Sequence, residues 1–525
     1  MPTSDYLKWL ATSGTLSRRA FIERAAALGV STALVTSLAS KGVFAQTAPQ
    51  KGGDLKIGID GGESTNSLDP ATYLSTYIQT VGFQWGNCLV ELDRNNNVTP
   101  ELAESWEPSD DATQWVFKLR KGVQFHNGKE MTAADVVYSI NHHRGENSGS
   151  AAKVYLEPIS EIKATGTHEL TVTLRAPNAD LPYIMADYHL LIMPEGSNPA
   201  SGIGTGPFVI QSFEPGVRTF ATRNPNYWKE GRAHVDSVES LVLNDLTART
   251  SALQTGAVHI VNRVDPKTVD LLKRSPNVEI LAVPSAGHYL FPMRTDTPPF
   301  DNKDVRLALK YAIDRKEIVD KILRGYGEVG NDHPIPSFDP MYAADLPQHE
   351  FDPDKAKHHF QKAGVDGPIT LYISNAAFTG AVDAAVLYRE HASRAGITIN
   401  VERTPEDGYW TEVWMNKAFC GSYWGGRPTA DLMLSVAYKS DAEWNDSYWK
   451  REDFDRILIA ARGELDTEKR KQMYHDLQEM IWDDGGVVIP MFNNYIFAHQ
   501  KSVTGLVPSP VLTGLRMAEQ LYFTS

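Results

Sequence analysis

Residues 102–139 read LAESWEPSDDATQWVFKLRKGVQFHNGKEMTAADVVYS. Apolar and polar side chains alternate over Trp115–Arg120, which predicts a strand with one buried face. Phe125–Gly128 has the composition of a turn. Thr132 followed by Asp135 is the pattern of a helix start in which each side chain bonds the backbone of the other residue. This stretch therefore predicts a mixed α/β unit in which a strand leads through tight turns into a helix.

The segments around this stretch continue the mixture of strands and helices. A strand at 369–373, a helix at 381–395 and a strand at 397–401 follow one another, and such β-α-β order favours a parallel sheet flanked by helices. Other predicted strands cover 54–60, 169–175, 208–213, 216–223 and 487–492, and other predicted helices cover 73–90, 247–255, 304–314, 453–462 and 468–483.

Length and composition are those of a soluble globular protein. The 525 residues leave room for about three domains, and 42% are hydrophobic. Lys and Arg number 51 against 65 Asp and Glu, which gives a net charge of −14. Because no long block of basic residues occurs, we expect no nucleic-acid surface. The two cysteines, Cys88 and Cys420, are too few for a disulfide framework or a four-thiolate metal site.

The N-terminus has the pattern of a twin-arginine export signal. Residues 15–22 read TLSRRAFI, in which paired arginines, one spacer and a phenylalanine follow one another. The weakly apolar run at 25–40 is shorter than the roughly 20 residues that a spanning helix needs. We predict a signal peptide over 1–45 that is removed after Ala45, with a buried amphipathic helix as the alternative. No later run of apolar residues predicts a membrane anchor.

Taken together, these segments resemble the family of periplasmic solute-binding proteins that serve peptide and nickel ABC importers. The resemblance begins with residues 102–139 and continues in family order over nearly all of the chain after the signal. The other matching segments are GTGPF at 204–208, RNPNYW at 223–228, DVRLALKYAIDR at 304–315 and DGGVVIP at 484–490.

The resemblance implies an α/β fold of two lobes, the type II periplasmic binding protein fold of the large class with an extra subdomain in lobe one. Two strands cross between the lobes, and the ligand is held between them. Carried over to this chain, lobe one is 46–288 and 496–525, its extra subdomain is about 75–205, lobe two is 289–495, and the crossings are 288–293 and 490–496.

The same resemblance implies a binding function without a cofactor. The expected protein is a monomeric periplasmic receptor that delivers a small solute to the permease of an inner-membrane ABC importer. The solute is a peptide, an opine-like compound or another amino-acid or sugar-acid conjugate. The alternative is a receptor of the same fold for a nickel chelate or haem.

Neither catalysis nor direct metal binding is expected. No G-x-S-x-G, P-loop or H-E-x-x-H motif occurs. The histidine pairs His142–His143 and His358–His359 are adjacent in sequence, and adjacent residues do not share a helix face. We therefore predict that both pairs lie on solvated helix surface and that the chain has no metal site of its own.

Residues 420–431, CGSYWGGRPTAD, contain the most informative candidate contacts. Gly425 and its neighbour Gly426 let backbone approach a ligand closely. Tyr423 and Trp424 offer rings that stack on flat groups or cations.

Arg427 offers a rigid fork of donors that matches a carboxylate or phosphate. Peptide-binding members of the family carry an acidic residue near this point for the peptide amine. An arginine here favours an anionic solute, while Asp431 remains available for an amine. The alternative is that Arg427 pairs with Asp431 or another acid at a surface turn.

The remaining candidates come from lobe one, from the crossings and from a short helix near residue 410. Ligands of open sheets bind where strands end, which favours residues just after the first strand. A core or hinge role is the alternative for each, and helix packing for the tryptophan. These candidates are Asn66, Tyr73, Tyr77, His288, Phe291, Arg294, Trp410 and Asn493.

Overall fold

The computed structural model of the chain describes residues 49–146, 148–405, 409–511 and 514–524. The predicted export signal lies outside the described residues. The strands are β1 Asp54–Ile59, β2 Val90–Leu92, β3 Val98–Pro100, β4 Ala103–Pro108, β5 Gln114–Leu119, β6 Ile159–Gly166, β7 Glu169–Leu174, β8 Phe208–Glu214, β9 Arg218–Arg223, β10 Ser237–Val242, β11 Ile260–Val261, β12 Val278–Pro292, β13 Gly327–Val329, β14 Ile369–Ile373, β15 Ile399–Arg403, β16 Ser422–Trp424, β17 Val487–Gln500, β18 Val503–Thr504 and β19 Tyr522–Phe523.

Helices alternate with these strands, as the sequence predicts. They are α1 Thr76–Trp85, α2 Ala133–His142, α3 Lys153–Leu156, α4 Leu181–Ile184, α5 Leu246–Gln254, α6 Pro266–Leu272, α7 Lys303–Tyr311, α8 Arg315–Ile322, α9 Pro353–Ala363, α10 Ala381–Ser393, α11 Tyr409–Glu412, α12 Ala430–Ala437, α13 Glu452–Gly463, α14 Thr467–Asp484 and α15 Met517–Gln520. No helix in the described ranges combines the length and apolar character needed to cross a membrane.

Three sheets organise most of the strands. The largest has the order β16-β12-β17-β11-β1-β10-β9-β8, with β13 also paired to β17. Within it, β1 is parallel to β10 and β11, whereas β12 and β17 form a long antiparallel ladder. A second, antiparallel sheet has the order β4-β5-β7-β6. β14 and β15 pair in parallel with α10 between them, which confirms the predicted β-α-β unit.

Buried apolar side chains divide these elements into three packed regions. Lobe one is the region around Ile57 and Phe208, together with a neighbouring cluster that contains Val278. The subdomain is the region around Phe117, on the β4-β5-β7-β6 sheet. Lobe two is the region around Leu309 and a second cluster that contains Leu290.

β12 and β17 both cross between lobe one and lobe two, in opposite directions. β12 begins with Val278 in a lobe-one cluster and reaches Phe291 in a lobe-two cluster. β17 runs the other way, from Val488 in lobe two to Ala498 in lobe one. The predicted crossing 288–293 thus covers the lobe-two end of β12, which is 15 residues long, and one residue after it. The predicted crossing 490–496 covers the middle of β17, which is 14 residues long. The strands are longer than expected because they pair with each other along both lobes.

The C-terminal segment returns to lobe one and ends in a buried ion cluster. Arg516 donates two hydrogen bonds of 2.7 Å to the two carboxylate oxygens of Glu101. Lys229 pairs with the same carboxylate at 3.0 Å and with Glu519 at 3.1 Å. Because each charge has an opposite partner, the cluster ties the chain end to the subdomain without an uncompensated buried charge.

The subdomain also touches lobe two directly. The side-chain amide of Asn96 donates to the carbonyl of Pro428 at 2.8 Å. The backbone N–H of Ala179 donates to the carbonyl of Arg462 at 2.8 Å. Asp180 and Arg470 form an ion pair of 2.7 Å in which both side chains are almost entirely buried. We call these three the interlobe contacts, and they join the lobes at a second place besides the crossing strands β12 and β17.

Candidate ligand-binding cleft

The crossing strands place β16 and the loop after it against the hinge, by which we mean the part of β12 and β17 that passes between the lobes. β16 pairs with β12 through Trp424 and His288. The ladder between β12 and β17 is interrupted between Pro284 and His288. At this irregularity a side chain on Gly426 would collide with Ala286, since a Cβ there would stand 2.8 Å from a side-chain carbon. Gly426 therefore allows the loop to lie on the hinge.

Arg427 projects from this loop without an acidic partner. Its Nη1 donates to the carbonyls of Gly425 at 3.1 Å and Gly426 at 3.3 Å. Its guanidinium carbon lies 5.7 Å from the centre of the Trp424 ring. Among the described residues, neither Nε nor Nη2 has an acceptor, and no carboxylate is within ion-pair distance. The alternative in which Arg427 pairs with Asp431 at a surface turn is therefore not what the structure shows.

The positive charge of Arg427 influences the ionisation of tyrosines from the subdomain, from lobe one and from β17. Burial raises the pKa of Tyr155 in the subdomain, and the positive charge of Arg427 opposes that rise. Burial also raises the pKa of Tyr188 in lobe one and of Tyr495 on β17, and Arg427 again opposes the rise. The loop that carries Arg427 lies on β12, which pairs with β17 at Val283 and Tyr495. We call the space between the lobes at this place the central cleft.

Arg263 faces the same space from lobe one. It follows β11, and its guanidinium Nη1 donates to Oδ2 of Asp60 at 3.1 Å. With Tyr188 and Tyr495 it lines a pocket of about 90 Å³. Arg263 also opposes the burial-driven rise in the pKa of Tyr495. The central cleft is therefore bordered by two guanidinium groups, one from each lobe.

Tyr423 and Trp410 form an aromatic rim on the lobe-two side. Their ring centres are 5.5 Å apart in an edge-to-face arrangement, and both rings are partly exposed. Burial raises the pKa of Tyr289 on β12, and Tyr423 adds to the rise. The structure therefore brings Tyr423, Gly425, Arg427 and Trp410 of the predicted set to one region.

Two predicted contacts of lobe one lie in its core instead. Tyr73 and Tyr77 are fully buried. The hydroxyl of Tyr73 donates to the carbonyl of Leu68 at 3.1 Å and accepts from the Trp85 indole at 3.2 Å. The hydroxyl of Tyr77 lies 2.8 Å from that of Thr219. With their polar atoms satisfied inside the lobe, these two rings serve packing.

Three predicted contacts near the crossings are also buried. Phe291 packs against Phe378, Tyr388 and Phe419 in lobe two. Trp424 is 5% exposed and belongs to the other lobe-two cluster.

His288 has no exposed surface, and its Nδ1 lies 3.3 Å from the carbonyl of Ala286. Burial lowers the pKa of His288 to about 4, so that the imidazole is neutral at physiological pH. The expectation of ligand contact is not met at Phe291, Trp424 or His288, because each lies behind the cleft surface.

Other predicted contacts are engaged within the protein. The guanidinium of Arg294 pairs with Asp296 through two hydrogen bonds and lies 3.9 Å from the centre of the Tyr448 ring.

Asn66 accepts the backbone N–H of Glu63 at 2.8 Å in its own turn. Asn493 lies at the crossing, where its side-chain oxygen would be 2.9 Å from a Cβ on Gly287. The Asn66 bond fixes the geometry of its own turn, and Asn493 remains partly exposed at the crossing.

Asp431 is not available for an amine. Its carboxylate pairs with Arg462 at 3.0 Å and lies 3.3 Å from the hydroxyl of Tyr474. It is 3% exposed, and burial raises its pKa to about 6 while Arg462 opposes the rise. Asp431 therefore belongs to the packing between helices of lobe two, away from Arg427.

The histidine pairs differ from the prediction in part. His143 is fully buried, with Nδ1 2.8 Å from the Ser150 hydroxyl, so its predicted solvent exposure is wrong. His142 and His359 each lie 2.7 Å from an aspartate oxygen.

Within the described residues, the one group of three side chains with metal-ligand spacing is His475, Asp476 and Glu479, on the surface of α14. This group lies outside the central cleft.

Sequence analysis missed Arg263, Tyr188 and Tyr495. A usable signal exists for Arg263, because it follows a strand that is parallel to β1, and ligands of open sheets collect where such strands end. For the two tyrosines the sequence carries no comparable signal, since their positions depend on pairing and packing over long separations.

A family model and the known proteins similar to this chain point to the same family. The family model described as bacterial extracellular solute-binding proteins, family 5 (middle), matches residues 97–450. The chain is 26% identical over 501 residues to the glutathione-binding protein GsiB of Escherichia coli K12. The alignment covers 91% of this chain and 94% of GsiB.

Solved structures share the fold. The ABC transporter substrate-binding protein CtaP of Listeria monocytogenes superposes with a TM-score of 0.80 at 22% identity, covering 91% of this chain and all of CtaP. HbpA2 of Haemophilus parasuis gives a TM-score of 0.79 at 22% identity, covering 90% of this chain and all of HbpA2. The predicted two-lobed α/β fold is confirmed.

Proposed function

Because the chain belongs to family 5 of the bacterial extracellular solute-binding proteins, we propose that it is the receptor of an ABC importer and holds a small acidic solute in the central cleft. Binding rather than catalysis is its task. The solute is an acidic peptide, an opine-like compound or another conjugate of an amino acid with an acid. Closure of the lobes over the solute presents the loaded form to the permease.

The observation that carries this proposal is the unpaired guanidinium of Arg427. Two of its nitrogens have no acceptor among the described residues, although its guanidinium carbon lies 5.7 Å from the centre of the Trp424 ring. A guanidinium in the cleft is stabilised little unless an anion accepts hydrogen bonds from its free nitrogens. A charge-assisted hydrogen bond of this kind contributes about 1.5–3 kcal/mol to the free energy of binding. A carboxylate of the solute fits this position.

The location and assembly follow from the same proposal. We place the mature protein in the periplasm as a monomer, exported by the twin-arginine route and cleaved after Ala45. The proposed lobe boundaries, 46–288 with 496–525 and 289–495, are supported by the buried clusters, since Val278 and Ala498 pack in lobe one and Phe291 packs in lobe two.

Native mass spectrometry of the freshly purified protein tests the proposal. We expect a bound small molecule whose mass identifies it. Glutathione is the first compound to titrate, because it carries two carboxylates and because the relative GsiB is named for binding it.

We predict that Arg427→Ala weakens binding of the captured solute at least tenfold, since about 1.4 kcal/mol is lost for each factor of ten. Isothermal titration calorimetry measures the change. Arg223→Ala is the matched control, because Arg223 pairs with Asp236 and lines a different surface depression of lobe one. Equal affinities of Arg427→Ala and the wild type would remove Arg427 from the site.

A further inference from the structure

Arg263 has backbone strain that its packing does not explain. Its φ is +47°, in the left-handed region that residues other than glycine rarely adopt. Its side chain is 58% exposed, so the fold does not need this residue to fill space. A strained, exposed arginine in a pocket is the kind of residue that function rather than packing retains.

Most of the Arg263 guanidinium is free to bind a ligand. Among the described residues, Asp60 is the one acceptor of this guanidinium: Nη1 donates to it at 3.1 Å. The Asp60 carboxylate is also held by the Asn262 amide at 2.7 Å. Asp60 thereby orients the guanidinium without covering it. The other nitrogens of Arg263 remain available for the two oxygens of a ligand carboxylate.

The two arginines border one space from opposite lobes. Arg263 shares a pocket with Tyr188 and Tyr495. Arg427, on lobe two, follows Gly426, which lies against Ala286 of β12, and β12 pairs with β17 at Val283 and Tyr495. Pulling the lobes together over a solute therefore brings both positive charges toward it.

We propose that Arg263 is a second anion-binding residue and that the solute carries two acidic groups, one held by Arg263 of lobe one and the other by Arg427 of lobe two. This inference rests on the proposed function and narrows its substrate class to dianionic solutes. A solute with an acid group at each end bridges the lobes, so that its charge as well as its size favours the closed form. A solute with one acid group leaves one guanidinium without a ligand carboxylate on closure, and the charge-assisted bonds that it fails to make are the basis of specificity.

The test combines identification of the captured solute with variants of both arginines. Native mass spectrometry first identifies the molecule that accompanies the purified protein, and calorimetry then measures binding of that molecule and of glutathione. Each ligand is compared with its monoester, in which one carboxylate is blocked. We expect a captured solute with two acid groups and at least tenfold weaker binding of it by Arg263→Ala.

A positioning role is separated from direct contact by the monoester. If Arg263 binds one carboxylate, esterifying that carboxylate weakens binding by the wild type but causes no further loss in Arg263→Ala. If Arg263 is only structural, esterification weakens binding by the same factor in the wild type and in Arg263→Ala. Arg263→Gly guards against misfolding, because glycine adopts φ near +47° without strain and should keep the melting temperature. Arg223→Ala again serves as the control.

The outcomes separate the two proposals. A captured solute with fewer than two acid groups, or affinity for a diacid within twofold of wild type in Arg263→Ala, overturns the dianion inference and leaves the receptor proposal standing. Failure of the wild type to capture any molecule or to bind any compound of the panel overturns both.

Discussion

Asp339 is a buried carboxylate at the contact between lobe two and the subdomain. It is 8% exposed, and its Oδ1 accepts the backbone N–H of Met341 at 2.8 Å. Burial raises its pKa to about 7, and the carboxylate of Asp180 adds to the rise. Asp339 therefore gains or loses its proton near physiological pH.

We predict that Asp339→Asn flattens the pH dependence of stability. A pKa raised in the folded state means that the folded protein binds the proton more tightly than the unfolded chain does. The contribution of this protonation to the free energy of unfolding is complete below about pH 4 and is lost as the pH rises through about 7. The amide keeps the bond from Met341 and cannot ionise. Urea unfolding at pH 5 and pH 8 should show the variant more stable than wild type at pH 8 by more than about 1 kcal/mol.

Asp383→Asn is the matched control for this prediction, because Asp383 is 70% exposed. If wild type and Asp339→Asn lost the same free energy of unfolding between the two pH values, the buried carboxylate of Asp339 would not be the source of the pH dependence.

At the residue scale, side-chain chemistry predicted Arg427 but not its surroundings. A guanidinium offers donors in a geometry that matches a carboxylate, which made Arg427 a candidate anion contact from the sequence. Whether an aromatic residue lines a cleft or a core is decided by distant partners, such as Thr219 for Tyr77. The partner of Asp431 is likewise Arg462, on another helix, so the sequence around Asp431 did not reveal its role.

At the scale of elements, the start of α2 shows how a local signal acquires a tertiary role. The predicted reciprocal cap between Thr132 and Asp135 is confirmed. Asp135 is fully buried, however, and also accepts the backbone N–H of Glu195 at 2.7 Å. Lys129 forms an ion pair with the same carboxylate. One residue thus starts the helix and fixes the loop at 195 beside it.

We expect Asp135→Ala to lower the free energy of unfolding by about 2–4 kcal/mol, because the helix loses its cap, the N–H of Glu195 loses its acceptor and a fully buried side chain is removed. Urea denaturation measures the change. Glu468→Ala, which removes an exposed acid from the first turn of α14, should change stability by less than about 0.5 kcal/mol. Similar losses in the two variants would contradict a tertiary role for Asp135.

Strand lengths were harder to predict than strand positions. The sequence predicts a strand at 487–492, whereas β17 continues to Gln500 through two asparagines. Those polar residues are poor strand formers in isolation. They remain extended because β12 pairs with β17 from Val278 to Pro292, and this pairing joins segments that are distant in sequence.

At the scale of the whole molecule, the lobes are joined in two places. β12 and β17 form the covalent crossing, and the interlobe contacts join the subdomain to lobe two. The ion pair of Asp180 with Arg470 is the charged member of the interlobe contacts, and both side chains are almost fully buried. Separation of the lobes must therefore expose and break it.

We predict that Asp180→Asn favours separated lobes in the unliganded protein. The amide keeps the shape of the carboxylate but removes its charge from Arg470. Small-angle X-ray scattering should then show a larger radius of gyration than wild type, and solute affinity should fall about two- to tenfold because the closed form is less populated. Asp453→Asn, which removes an ion pair within lobe two, is the control. Superimposable scattering curves for Asp180→Asn and wild type would argue against this role.

The place of β17 in the largest sheet also governs how the polypeptide matures. β17 lies between β11 and β12, although it is among the last elements to leave the ribosome. Until then the nascent chain carries two unpaired strand edges facing a gap, and such edges invite aggregation. A chaperone that binds the unfolded chain would be most useful in this interval. Truncation anywhere before residue 500 should yield insoluble products rather than a smaller functional receptor.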